Sequence, residues 1–168
     1  MTTVDSPAIA VVKRLYEAYN RHDIDGVLAC WHTDGVEFLP LKGEMRAKTE
    51  LGPHLRSFYG AFPDARTRID AIVSDGAGRV AVQVTLTGTF TGGKFNGLSA
   101  NGRPWSARMA EFFTVENDLI TRMDAYMDSM DLAQQLQLLP APGSIVEKIM
   151  TGAFNLKVAV SAKLSGKR

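Results

Sequence analysis

The chain is short of most features that announce a function. Its single cysteine, Cys30, excludes an internal disulfide and fits a reducing cytoplasm, where the protein is expected. A net charge of +1 leaves no electrostatic footprint for nucleic acid. No run approaches the ~18 apolar residues of a membrane span. The opening "MTTVDSPAIAVVKRLYEAYN" lacks the basic region and unbroken apolar core of a signal peptide. The three histidines, His22, His32 and His54, show no ligand spacing, so no metal is expected. There is no G-x-S-x-G elbow, and Cys30, on a predicted helix, reads as a buried inert thiol. "GTFTGGK" starts like a phosphate loop. However, Phe95 stands where Ser or Thr must hold magnesium and no helix follows, so the stretch reads as a turn.

What is present is an ordinary folding chain of 168 residues, 45% apolar and 22% charged, enough for one domain. Ile9, Val12, Tyr16 and Tyr19 recur at helical spacing behind "DSP", where Asp5 or Ser6 can cap and Pro7 opens the turn. A second short helix is predicted near residues 23–31, with Trp31 on its apolar side and His32 at its end. "LGPHLRSFYGAF" gives a third. Then the period changes to two. "RTRIDAIVS" and "RVAVQVTLTGTF" flank the turn "DGAG", and "PWSARMAEFFTV" and "LITRMDAYM" flank "END". Helices followed by a meander of about four long strands make the class α+β, with helices on one side of a curved antiparallel sheet.

Residues 1–140 read as the main domain and 141–168 as a helical tail, opened by the capping spacing of Ser144 and Glu147. The tail holds five basic residues against one acid, so it is +4 while the remainder is −3. It is expected to dock on the body or on a sister subunit. An anionic membrane surface is the less favoured host.

"RMDAYMDSMDLAQQL" sets carboxylates among apolar residues. Alternation places Arg122, Asp124, Tyr126 and Asp128 on one face of the last strand and Met123, Ala125 and Met127 on the other. Asp124 either faces water beside Arg122 or enters a pocket. Asp131 reads as a helix cap, and Asp128 as either a cap or a functional group.

With these elements in order, "LYEAYNRHDIDGVLACWHTDGVEF", "LGPHLRSFYGAFPD", "GTFTGGKFNGLSANGR" and "LITRMDAYMDSMDLAQQLQLLP" resemble SnoaL-like polyketide cyclases of the nuclear-transport-factor-2-like group, over about residues 8–140. The resemblance implies a cone-shaped sheet (a cystatin-like α+β barrel) wrapped by the N-terminal helices around an apolar cavity. It also implies a homodimer formed through the sheet and no cofactor. It makes Asp128 the general acid/base of a ring closure. The sequence departs from the family where Arg122 and Asp124 replace a Glu and a Trp, and where Phe90 replaces a His.

The expected activity is therefore cofactor-independent cyclisation or isomerisation of a hydrophobic carbonyl compound. A carboxyl in a dry pocket has a raised pKa and can both take and return a proton. Asp128 would be assisted by Asp124 and Tyr126. Tyr16, Trp31, His32, Glu111 and Phe113 are the expected substrate contacts, and Glu111 is a second acid unless its strand turns it outward. An epoxide hydrolase or ether-ring former on the same cone is the alternative enzyme. A non-catalytic cup for an apolar ligand is the alternative of another class.

Overall fold

The Ser6 hydroxyl accepts the Ile9 N–H at 3.3 Å, and Pro7 occupies the first turn, so α1 runs Pro7–Asn20. A computed structural model describes residues 6–40, 42–140 and 143–165, with their side chains except those of 159–160 and 162–165. Asp5, one of the two possible caps, and the basic Lys167 and Arg168 lie outside the described residues.

Asp23 caps α2 (Ile24–Ala29) by accepting the Gly26 N–H. The strand β1 (Trp31–Leu39) follows at once, then β2 (Gly43–Arg46), a π-helical turn at Ala47–Leu51 and α3 (Gly52–Ala61). The long strands are β3 (Arg66–Ser74), β4 (Arg79–Thr89), β5 (Pro104–Glu116) and β6 (Leu119–Met127). The short helix α4 (Ser129–Gln135) and the long tail helix α5 (Ile145–Ser165) close the order.

The fold class is the expected one, with a curved six-stranded sheet in the order β2-β1-β6-β5-β4-β3. Both hairpin turns form as read. Asp75 accepts the N–H groups of Ala77 and Arg79 in the first. In the second, Asn117 and Asp118 both adopt positive φ, which suits the twist of a two-residue hairpin.

Two features go beyond the sequence reading. β1 and β2 add to the four long strands, and β1 pairs parallel to β6 while its other neighbour, β2, is antiparallel. The second helix accordingly stops at Ala29, so Trp31 and His32 belong to a strand rather than a helix end.

Alternation sorts the sheet into two faces. On β5, Trp105, Ala107, Met109, Phe113 and Val115 are buried while Ser106, Arg108 and Phe112 are not. The buried face curves around α1 and α3, and the core forms between them. Ser144 caps α5 by accepting the Glu147 N–H, and α5 leaves Ile145, Ile149 and Phe154 exposed.

Candidate active site

The sheet and helices do not fill the space they enclose. A cavity of about 490 Å³ remains, within the range of small-molecule sites. Its wall is aliphatic on the sheet side, with Val84, Leu86, Met109, Met123 and Met127. Another part of the wall is aromatic, with Phe58 and Tyr59 of α3 and Phe62, Phe90, Phe95 and Trp105. Phe62 meets Trp105 nearly edge-on at 5.2 Å between ring centroids.

The segment that resembled a phosphate loop contributes Phe90 to this wall. The Gly92 N–H donates to Ala61 O at 3.0 Å and the Gly93 N–H to Gly60 O at 2.8 Å. A Cβ on Gly92 would stand 1.9 Å from the Gly60 oxygen. The glycine is thus demanded by close backbone approach, and it ties the loop to the end of α3.

Two carboxyl groups interrupt the apolar lining, Glu37 of β1 and Glu111 of β5, only 3% and 6% exposed. They are the only buried charged side chains among the described residues. The register brings them near each other. Glu37 lies beside Met123 of β6, whose neighbour Ala125, two residues on, lies opposite Glu111. Tyr16 donates its hydroxyl to Glu111 Oε2. Glu37 Oε2 is buried with no hydrogen-bond partner among the described residues.

Burial governs the protonation of the pair, because a charge out of water is costly. Desolvation, helped by the charge of neighbouring Glu111, pushes the Glu37 carboxyl from its ordinary 4.5 up to about 8. Desolvation also raises Glu111, from 4.5 to about 7, against the Tyr16 hydrogen bond that favours its ionised form. Burial first, then the Glu111 charge, holds the Tyr16 hydroxyl far above its usual range, so it stays a donor. Both carboxyls are thus pushed up towards neutrality, so near pH 7 the pair does not carry two full charges and titrates as a unit.

A family model described as a SnoaL-like domain matches residues 12–123, more than half of the chain. The chain belongs to the SnoaL-like family. Solved structures share the fold of this SnoaL-like protein. AclR of Streptomyces galilaeus, proposed to be a hydroxylase, is 23% identical over 79% of this chain and 97% of its own, with a TM-score of 0.69. IdmH of Streptomyces antibioticus, proposed to be a polyketide cyclase, is also 23% identical, over 77% and 98%, at 0.67. An LEH-like epoxide hydrolase of M. tuberculosis is 23% identical over 79% and 90%, at 0.62. No curated protein matches the chain.

Of the residues singled out from the sequence, Tyr16 and Glu111 line the cavity of the SnoaL-like domain. The rest lie elsewhere. Asp128, expected inside, is exposed and caps α4, accepting the N–H groups of Met130 and Asp131 at 3.0 Å each. Its carboxylate is occupied at the strand-to-helix junction, and the cap lies three residues before Asp131, where the spacing placed it. Asp131 instead accepts from the Gln135 amide at 2.7 Å.

Asp124 lies on the convex face in an ion pair with Arg122, which also reaches Glu44 at 3.0 Å. Tyr126 is 55% exposed on that face, against Phe38 and Phe112. Trp31 is fully buried in the core outside the cavity. The His32 ring faces its own strand, accepting the Asp34 N–H at Nδ1. Phe113 packs edge-on to Tyr16 at 6.2 Å, behind the cavity wall.

Sequence reading missed Glu37 altogether. Its signal was faint: an acid alternating with Gly35 and Leu39 in "HTDGVEFL", where Asp34-Gly35 suggests a turn rather than a strand. No cluster of His, Cys, Asp or Glu that could hold a metal ion exists among the described residues.

Proposed function

We propose that this protein is a cofactor-independent acid–base enzyme that cyclises or isomerises a hydrophobic carbonyl compound, with Glu111 as base and Glu37 as acid. The observation that carries this reading is the pair itself: two buried carboxyls lining an apolar cavity, one with an unpartnered oxygen. An unpaired buried polar group destabilises a fold. Groups with perturbed pKa values in a cavity are candidates for chemistry.

The steps follow from the protonation states. A carbonyl at the inner end of the cavity accepts a hydrogen bond from the protonated Glu37. The Glu111 carboxylate removes a proton from the carbon beside that carbonyl, while Glu37 delivers its proton to the oxygen, giving a neutral enol. In a cyclisation the enol carbon attacks a second carbonyl of the same molecule. Glu111 then protonates the new alkoxide, and Glu37 recovers the enol proton as the first carbonyl re-forms. In an isomerisation of an unsaturated carbonyl compound the enol is a dienol, and Glu111 returns its proton to the far carbon of the dienol while Glu37 recovers the enol proton as the carbonyl re-forms. Either way the enzyme ends as it began. Burial raises both pKa values and the Tyr16 hydrogen bond tempers that of Glu111, which brings them near neutrality, where proton transfer at that pH is most effective.

Exchange of carbon-bound hydrogen reports on enolisation without knowledge of the natural substrate. With acetylnaphthalene in deuterated buffer, the protein is expected to accelerate methyl-hydrogen exchange, read by NMR. Glu111→Gln should lose roughly 10²–10⁴-fold of that acceleration. Exchange at the buffer rate, or the same rate in Glu111→Gln, would leave a binding cup rather than an enzyme.

An epoxide hydrolase could use the same pair, with the acid protonating the epoxide and the base activating water. The likeness to a mycobacterial epoxide hydrolase concerns the fold. Among the described residues no arginine lines the cavity to fix such a pair, so the carbonyl reading is preferred.

A further inference from the structure

The cavity is electrically polarised along its length. At its inner end stand the two carboxyls. At its rim stands Lys42, in the turn between β1 and β2, exposed and with no carboxylate paired to it among the described residues. β1 connects the two ends. Glu37 and Leu39 both face the cavity and Lys42 follows just beyond the strand. Leu39 pairs with Gly43 and the Lys42 N–H donates to Leu39 O, so the Lys42 backbone stands two to three strand residues from Glu37, about 7–10 Å at ~3.3 Å of rise per residue. His54, on the first turn of α3, shares the rim and lies against Phe95 at 6.1 Å between centroids. Burial, then the Lys42 charge, lowers its pKa, so near neutral pH Lys42 is the cation of the rim.

We propose that Lys42 binds an anionic group of the ligand, so that the substrate is an apolar carbonyl acid that enters carbonyl first and leaves its carboxylate at the mouth. This rests on the cavity being the ligand site, as proposed above. The reverse orientation would place an anion against the carboxyl pair in a dry cavity, where like charges and lost hydration both oppose it. The aromatic part of the wall suits a flat, unsaturated body. The rim charge thus supplies orientation as much as affinity, which is what a reaction at one end of an elongated molecule requires.

The test uses three probes of one shape: an acetylnaphthoate, its methyl ester and the aminomethyl analogue. Each is titrated by naphthalene fluorescence into the full chain, wild type, Lys42→Ala and Lys42→Glu. The wild type should bind the acid roughly three- to five-fold tighter than the ester, the size of one partly exposed ion pair. Lys42→Ala should erase that preference, Lys42→Glu should reverse it, and high salt should shrink it. Because Lys42 is an exposed turn residue, neither variant removes packing.

Equal binding of acid and ester by the wild type, or a preference that survives in Lys42→Ala, would overturn the role of Lys42 while leaving the cavity intact. Tightest binding of the aminomethyl compound would overturn the orientation, since the cation would then have sought the carboxyls. Binding of none of the three would overturn both this inference and the cavity reading beneath it.

Discussion

Glu111 and Asp124 stand on adjacent strands one step apart in register, Glu111 opposite Ala125 and Asp124 opposite Phe112. Both are acids in largely apolar runs, yet they live in different solvents. Asp124 faces outward, with Arg122 donating three hydrogen bonds to its carboxylate, the shortest 2.7 Å. Glu111 faces inward, buried, with a tyrosine hydroxyl as its hydrogen-bond partner and a raised pKa. A shift of one residue along a strand moves a side chain from one face of a sheet to the other. That single parity separates a solvated ion pair from a buried carboxyl with a raised pKa.

The comparison breaks most visibly in activity. Glu111→Gln should cost the exchange reaction its roughly 10²–10⁴-fold. Asp128→Asn, which keeps a good capping side chain, should exchange at the wild-type rate. Loss of exchange in Asp128→Asn together with its survival in Glu111→Gln would return the chemistry to the exposed face.

Stability against pH comes next. Glu37 has an ordinary pKa of 4.5 and a folded value of about 8, so the folded state holds a proton that the unfolded chain releases between those values. The stability is full below 4.5 and falls as pH rises towards about 8. Glu37→Gln removes this charge. It should raise stability at pH 8 by on the order of 3 kcal/mol and flatten part of the slope, since Glu111 still titrates. Urea unfolding at a series of pH values measures it, and an unchanged slope would mean that Glu37 is not held out of water.

A smaller effect belongs to the cap. Asp128→Ala strips two N–H acceptors from the start of α4 and should cost about 1 kcal/mol, seen in thermal or urea unfolding, with exchange unaffected. Smallest of all, Asp124→Asn breaks an ion pair that is open to solvent and should change stability by about 0.5 kcal/mol or less. A loss of several kcal/mol there would show that the convex face is covered.

Much of this was legible beforehand. The caps at Ser6 and Ser144, the hairpin residues Asp75, Asn117 and Asp118, and the shift from helical to strand period are all local signals, and each produced its element. Glu111 was readable as either an outward residue or a second acid, although Trp105, Met109 and Phe113 share its parity while Ser106 and Arg108 share the other. Ala110 and Phe112, apolar residues on the outer face, blurred that reading. β1 was not legible, since "HTDG" carries turn residues and its pairing partner β6 lies far along the chain. Asp128 was readable as either cap or acid, and its position decided between them.

The sequence by itself determined the local elements and the family, because capping, turn chemistry and side-chain period act within a few residues of one another. The tertiary structure alone decided which acids are dry. It inserted β1 parallel beside β6, curved the sheet towards its odd-numbered β5 residues, and so set Glu37 and Glu111 in one cavity while leaving Asp124 and Asp128 in water. Solvation belongs to the assembled surface, and no short stretch of chain specifies it.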